Sequence, residues 1–301
     1  MVKELVVISG KGGTGKTSIV ASFAVLAGKA ILADCDVDAA DLHLILEPTT
    51  IKREEFSGGS QARVIPELCT ACGKCSEVCR FDAVSFSGPG NEKAERTSVV
   101  DPIACEGCGV CAYFCPHDAI EFGPVVNGEW FLSDTRCGPM VHAKLGVAEE
   151  NSGKLVTLVR TEAKSIAEER SLDWLLIDGS PGIGCPVIAS ITGADLVVVV
   201  TEPTLSGLHD LQRAADLTKH FGIETLVCIN KWDLNEDLVS DIETQARRRG
   251  LRVAGRVRYD RAVTEAQIQK QAIVEYREDG AAADIRQLWA EVRQAAQNLT
   301  S

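Results

Sequence analysis

Eight of the twelve cysteines in this chain fall in two short runs of identical spacing. Cys69, Cys72, Cys75 and Cys79 spell C-x₂-C-x₂-C-x₃-C, and Cys105, Cys108, Cys111 and Cys115 repeat the pattern 36 positions later. The surroundings repeat as well: Cys72-Gly73 corresponds to Cys108-Gly109, and Asp82-Ala83-Val84 to Asp118-Ala119-Ile120. Four thiols so close together force the backbone to wrap around something that thiolates bind. Structural zinc sites more often join two C-x₂-C pairs well apart in sequence. The N-terminal residues show neither the long apolar core nor the cleavage site of a secretory leader. No run approaches the roughly 18 apolar residues of a membrane span. The expected setting is the reducing cytoplasm, where cysteines act as metal ligands rather than as disulfides.

On both sides of this segment the chain alternates strand and helix. Strands are expected at residues 5–9, 30–33, 155–159, 174–177, 196–200, 225–229 and 252–257. Helical periodicity covers 19–26, 207–221, 235–249 and 282–299. Such alternation predicts an α/β fold, a doubly wound and mostly parallel sheet with helices on both faces. The cysteine segment is then a small α+β insertion. The expected division is 1–58 with 124–301 for the larger domain and 59–123 for the inserted one. The formal charge of −12 argues against wholesale binding to nucleic acid or anionic lipid, both polyanions. Seven arginines between Arg247 and Arg261 read as a solvated face or a dock for an acidic redox partner. The last helix sets Ile285, Leu288, Trp289, Val292 and Leu299 on one face, a pattern of core packing and not of a membrane anchor.

Gly10-Lys11-Gly12-Gly13-Thr14-Gly15-Lys16-Thr17 fits G-x-x-x-x-G-K-[ST], with an apolar strand before it and the helical segment 19–26 after it, and these residues with Ser18 are the expected nucleotide-binding loop. Glycines let backbone N–H groups converge on phosphate, and the helix N-terminus adds its positive dipole end. Lys16 is expected to neutralise β- and γ-phosphate charge and Thr17 to ligate Mg²⁺. Asp178, closing the apolar strand Trp174-Leu175-Leu176-Ile177, is placed to hold a Mg²⁺-bound water.

Lys11 gives the loop the deviant K-G-G-x-G-K-T form, which resembles the MinD/ParA and nitrogenase iron protein superfamily of dimeric ATPases. Asp34-Cys35-Asp36-Val37-Asp38 resembles that family's switch I and Asp178-Gly179-Ser180-Pro181-Gly182 its switch II. Thr201-Glu202-Pro203-Thr204 and Ile229-Asn230-Lys231 match later landmarks. The resemblance implies that Lys11 reaches the nucleotide of a partner subunit, that Asp36 positions the attacking water, and that Asp34 or Asp38 lies near the metal. It also implies that Gly182 and Lys231 belong to the nucleotide site and that Asn230 alone contacts the adenine, with Asp233 left as a loop acid. Asn230-Lys231-Trp232-Asp233 also spells N-K-x-D, the guanine-reading pattern of many GTPases, so GTP stays open beside ATP.

The cysteine repeat resembles the bacterial two-cluster ferredoxin, in which three close thiolates wrap one cubane face and the fourth reaches the other cluster. That pairs Cys69, Cys72, Cys75 and Cys115 on one [4Fe–4S] cluster and Cys79, Cys105, Cys108 and Cys111 on the other. The usual proline after the fourth cysteine is present as Pro116, but Arg80 stands in the first run and is expected to bring a cation near one cluster. Cys35 and Cys228 read as buried small apolar residues. Cys137 and Cys185 are candidates for an extra redox or cluster-ligating role, with inert packing the plainer reading.

Together these features imply an ATPase that dimerises, with itself or with a paralogue, on Mg-ATP. It would couple hydrolysis to electron transfer through two clusters to a redox or metallocofactor-carrying partner. A molybdenum–iron cofactor-type or orange-protein-like protein is a plausible client by the same resemblance. The alternatives are a cofactor-assembly carrier whose clusters are cargo and, further off, a MinD/ParA-like positioning ATPase.

Overall fold

The computed structural model describes residues 2–146 and 152–299, which divide into two compact units. The larger comprises the chain up to Glu54, Trp130–Lys144 and the chain from Ser152 onward; the smaller comprises Glu55–Glu129 with the segment beginning at Leu145. In chain order the elements are β1 (Lys3–Ser9), α1 (Lys16–Ala27), β2 (Ala30–Asp34), α2 (Leu42–Leu46) and β3 (Thr49–Phe56). Next come β4 (Gly59–Val64), α3 (Lys74–Val78), β5 (Val84–Ser85), β6 (Val99–Val100), α4 (Val110–Tyr113) and β7 (Ile120–Val125). They are followed by β8 (Gly128–Thr135), β9 (Gly138–Leu145), α5 (Ser152–Glu169), β10 (Trp174–Pro181), α6 (Cys185–Ile191), β11 (Leu196–Thr201) and α7 (Leu205–His220). The last are β12 (Glu224–Asn230), α8 (Glu236–Arg248), β13 (Arg252–Val257), α9 (Ala262–Ile268), α10 (Ile273–Tyr276) and α11 (Ala281–Asn298).

The larger unit is built on one nine-stranded sheet, ordered β13-β12-β11-β1-β10-β2-β9-β8-β3. The pairs from β13 to β9 are parallel. Its inner strands β1, β2, β10, β11 and β12 are buried almost throughout because both faces are covered. Leu5, Val7, Leu32, Val198, Val200 and Leu226 pack with Phe23 of α1 and Leu288, Trp289 and Val292 of α11. The intervening Val6, Ile8, Ile31, Val197, Val199 and Val227 point the other way and are equally buried. Trp289 sits at the centre of the first face, 4.9 Å from the Phe23 ring and 5.0 Å from Trp174. The apolar face of α11 is thus spent on the core, except Leu299 past its end, which is exposed.

The strand expected at 155–159 is instead part of α5. Leu155, Val156, Val159, Ala163 and Ala167 are all buried, and their spacing is helical, which a five-residue apolar run hides. Three strands of this sheet, β3, β8 and β9, were not foreseen. β3 carries Lys52, Arg53, Glu54 and Glu55 on the sheet's outer edge, where no apolar pattern is required. β8 and β9 are joined by only Arg136 and Cys137.

The smaller unit repeats itself. β4 pairs antiparallel with β7 and β5 with β6, so Val64 faces Ile120 and Val84 faces Val100. A shift of 36 carries Val64 onto Val100 and Val84 onto Ile120, so each strand pair joins one strand from each half of the repeat. The flanking hydrogen bonds obey the same relation: Ile65 N–H donates to Ala119 O at 2.8 Å and Asp101 N–H to Ala83 O at 2.7 Å. Left-handed residues recur in step, Gly73 with Gly109 and Asp82 with Asp118, where the chain turns into α3 and α4 or back to a strand. This unit starts at Glu55 and not 59, and runs to Glu129 and not 123. Its closing bonds lie beyond the β4–β7 ladder: Gly58 N–H donates to Asn127 Oδ1 at 2.8 Å and Asn127 N–H to Phe56 O at 3.0 Å.

Candidate functional site

β1 lies between β10 and β11; the connection after β1 leads to β2 on the β10 side and the one after β10 crosses to β11 on the other, so a crevice opens at the carboxyl end of β1. Residues 12–18, between β1 and the first turn of α1, line a cavity of about 700 Å³ there. Two glycines in this loop cannot be replaced. A Cβ on Gly10 would lie 2.0 Å from Asp210 Cβ, and one on Gly15, at φ +85°, would lie 2.4 Å from Asn230 Nδ2. Ser9 Oγ donates to Lys11 O at 2.8 Å and pins the start of the loop.

Lys16 is the electrostatic centre. Its side chain is buried, with Nζ 2.6 Å from Asp178 Oδ1 and 3.3 Å from Asp36 Oδ2. Burial pushes its pKa down, but Asp178 and then Asp36 outweigh that and hold it above the ordinary lysine value. Burial, with Lys16 opposing, raises the Asp36 carboxyl. Asp178 is fully buried, and its Oδ2 has no partner among the described residues. Such an orphaned carboxylate oxygen fits a metal ion or its bound water. Thr14 Oγ1, also buried, is unpartnered too.

Asp34 is not among the residues that line the cavity. It is fully buried, and its two oxygens accept the N–H groups of Asp36 (3.2 Å) and Leu42 (3.3 Å), so it orders the loop after β2. Burial first, and the neighbouring Asp178 next, raise its carboxyl well above the ordinary range. Asp36 and Thr17 line the cavity. Gly182 does not, and its N–H donates to Ser9 O at 2.8 Å, which ties the turn after β10 to β1. Ser180 Oγ donates to Cys35 O at 2.6 Å and links the two switch-like loops.

Asn230 lines the cavity but spends its amide on the loop: Nδ2 donates to Thr14 O at 2.7 Å, and Oδ1 accepts the Lys231 N–H at 3.0 Å. Lys231 Nζ donates to Gly13 O at 3.1 Å and meets Glu202 at 2.5 Å. Lys11 rests on the same Glu202 at 3.4 Å and on Ser206 Oγ at 3.3 Å, with 38% of its side chain exposed. Asp233 is not among the residues that line the cavity and accepts the Tyr259 N–H at 2.7 Å. The opposite wall was missed from sequence. Tyr259, Asp260, Thr264 and Gln267 line it, and Gln267 Nε2 donates to Ser18 Oγ at 2.9 Å. Their only signal was position, in the connection after a parallel strand at the sheet's carboxyl edge.

In the smaller unit, Cys69, Cys72, Cys75 and Cys115 line one small cavity and Cys79, Cys105, Cys108 and Cys111 another. Among the described residues no group of three or more His, Cys, Asp or Glu is arranged to hold a single metal ion. A cubane cluster asks for something else, since each thiolate binds a different iron corner and the four sulfurs surround a volume. Cys69 Sγ accepts the Ala71 N–H at 3.4 Å and Cys115 Sγ the Ala119 N–H at 3.3 Å. Arg80 is exposed and lines neither cavity. Cys137 packs against the core of the larger unit, and Cys185 is exposed at the first residue of α6. Cys35 and Cys228 are fully buried, and burial pushes the Cys228 thiol up to about 12.

Most of the arginines near the C-terminal strand are paired, Arg256 with Glu243 at 2.5 Å and Arg258 with Asp284 at 2.7 Å. No helix among the described residues is long and apolar enough to cross a membrane.

The family of the CobQ/CobB/MinD/ParA nucleotide binding domain matches residues 5–273. The chain is 36% identical over 239 residues to the uncharacterized protein MJ0578 of Methanocaldococcus jannaschii, across 78% of this chain and 80% of that one. It superposes on septum site-determining protein MinD of Pyrococcus horikoshii, complexed with Mg-ADP, at TM-score 0.56 and 17% identity, covering 99% of each. The McdA(D38A)–ATP complex of Cyanothece gives 0.55 at 16% identity over 98% of this chain and 96% of that one. With a P-loop between β1 and α1 and a family match on both sides of the cysteine segment, this chain belongs to the CobQ/CobB/MinD/ParA nucleotide-binding family.

Proposed function

We propose that this chain is an ATP-switched iron–sulfur protein in which Mg-ATP binding, dimerisation and hydrolysis govern electron transfer through two [4Fe–4S] clusters to a partner protein. The observation that carries the reading is the division of eight cysteines, four and four, between two cavities of a chain that also builds a P-loop. The donor set fits, since all eight ligands are thiols with the spacing of iron–sulfur ligation. The clusters, when bound, supply one-electron chemistry; the residues around them hold the thiolates in place.

At the nucleotide site the first event is an exchange of partners by Lys16. Phosphate oxygens replace the carboxylates of Asp178 and Asp36 that now hold it, which frees Asp178 toward Mg²⁺ together with the Thr17 hydroxyl. Mg²⁺ held by Asp178 and Thr17 would supply positive charge against the nucleotide's phosphates. Asp36, on the cavity wall, orients the water that attacks the γ-phosphorus as the bond to the ADP oxygen breaks. Lys11 has the exposure to leave Glu202 and reach a nucleotide across a dimer. ATP is favoured over GTP because Asp233 is committed to the Tyr259 backbone, and because a structural neighbour holds ATP.

Cys72 and Cys108 are exposed, which gives the carrier reading, with clusters as cargo, its one foothold. Cargo clusters would transfer to an apo acceptor, whereas electron-carrying ones survive repeated reduction and oxidation. A membrane-positioning role is disfavoured because α11 buries its apolar face. The test is anaerobic purification. The expected result is about eight iron and eight sulfide per chain, together with ATP hydrolysis that Lys16→Ala abolishes. Stoichiometric zinc without iron would overturn the proposal.

A further inference from the structure

The 36-residue repeat makes the two cysteine cavities comparable wall by wall, and the walls differ. Ser98 of the Cys69 cavity has Ala62 as its counterpart in the Cys105 cavity; likewise Thr70 has Glu106, Lys74 has Val110 and His117 has Phe81. Ser98 is buried at 2% exposure, and its hydroxyl lies 3.5 Å from Cys75 Sγ. Thr70 Oγ1 is buried without a partner among the described residues. Asn91 Nδ2 donates to Cys69 O at 2.7 Å and fixes the loop that delivers these groups. Among the described residues the Cys105 cavity is lined by no hydroxyl and no cation, and the one charged residue on its wall is the acid Glu106.

Resting on the iron–sulfur reading above, we infer that the two sites are built unequal: the cluster held by Cys69, Cys72, Cys75 and Cys115 is the higher-potential one, that held by Cys79, Cys105, Cys108 and Cys111 the lower, and the Ser98/Ala62 pair is a main cause. A reduced cluster carries one more negative charge. Donors aimed at its sulfurs stabilise that charge, while an apolar wall and a carboxylate disfavour it. Two influences run against this order or dilute it. Cys69 and Cys75 are buried where Cys105 and Cys111 are half-buried, and water contact favours reduction. Lys74 is partly neutralised by Glu77 at 3.1 Å. Donors in contact with sulfur outweigh that modest difference in exposure. An electron delivered to the Cys105 site therefore runs downhill to the Cys69 site, so the second half faces the donor in energy and the first half stores.

The test is a potentiometric titration of the anaerobic holoprotein followed by EPR. Two one-electron steps are expected, separated by at least tenfold in equilibrium constant, about 59 mV. Ser98→Ala should lower only the upper step and Ala62→Ser raise only the lower one, each with eight irons retained. Thr70→Val, a near-isosteric change, should also lower the upper step, and it serves if Ala62→Ser fails to assemble. Retained iron with both midpoints unmoved in Ser98→Ala and Thr70→Val overturns the inference and leaves the iron–sulfur reading standing. A protein without iron overturns both.

Discussion

The two units are held together by different means. The larger gathers more than thirty buried residues from the sheet and from α1, α2, α9, α10 and α11 into one apolar cluster, enough to stand on hydrophobic burial alone. In the smaller unit the corresponding cluster gathers Val64, Cys69 and Ala119, with Val100, Cys115 and Ile120 packed against it. Two of those six are cysteines, and Tyr113, Phe114 and Phe122 are exposed. A segment of that size with so little core needs staples. The contrast teaches that the same cysteines that would carry electrons also carry the fold, whereas in the larger unit fold and chemistry fall on separate residues.

The sharpest challenge is to withdraw the staples. Removing iron, or replacing Cys75 and Cys111 by serine, should erase hydrogen-exchange protection across residues 59–125 while β10 and β11 stay protected. Equal protection in the apo protein would show that the small unit needs no cluster. Next in size, Lys16→Ala should weaken ATP binding about a thousandfold, ~4 kcal/mol, since Asp178 and Asp36 would be left as unpaired buried carboxylates facing phosphate. Titration calorimetry measures it; Lys11→Ala, whose side chain is exposed, should bind ATP within about threefold of the native chain and fail to dimerise in light scattering.

A core cut then tests the larger unit alone. Leu288→Ala should cost ~3 kcal/mol and lower its denaturant midpoint, with the iron content unchanged. The smallest effect concerns pH. His142 stacks on Phe131 at 5.0 Å and hydrogen-bonds Ser133 at 2.9 Å, and burial pushes its pKa down to about 4. The folded state prefers the neutral ring, so the stability is complete above about pH 6.5. It is lost as pH falls toward 4, by ~2 kcal/mol allowing for partial exposure. His142→Gln should remove that part of the slope, read as the difference between denaturant midpoints at pH 7.5 and pH 5. An unchanged slope would mean that the ring is protonated in place.

Much of the fold was legible because its signals are local. The parallel strands announce themselves as apolar runs, the P-loop by glycine and lysine at set positions, and the duplication by eight cysteines in step. The misread segment at 155–159 failed for the opposite reason: five apolar residues carry no period, and only the buried positions further along α5 reveal the turn of the helix. β3 was invisible because an edge strand at the surface can be as charged as a loop.

Residue types and spacing alone decided that this chain has a phosphate-cradling loop and two equivalent thiol sets, since both depend on short stretches of backbone whose geometry glycine and cysteine impose. Tertiary structure decided what those residues do to one another. Asp34 became an organiser of its loop because its oxygens meet the amides of Asp36 and Leu42. Asn230 braces the P-loop because β12 delivers it beside Gly15. Ser98 reaches Cys75 across 23 residues because β6 pairs with β5 and carries the preceding hydroxyl to the sulfur. Hydrogen bonds and ion pairs act over about 3 Å, and no spacing in the chain says which distant groups will come that close.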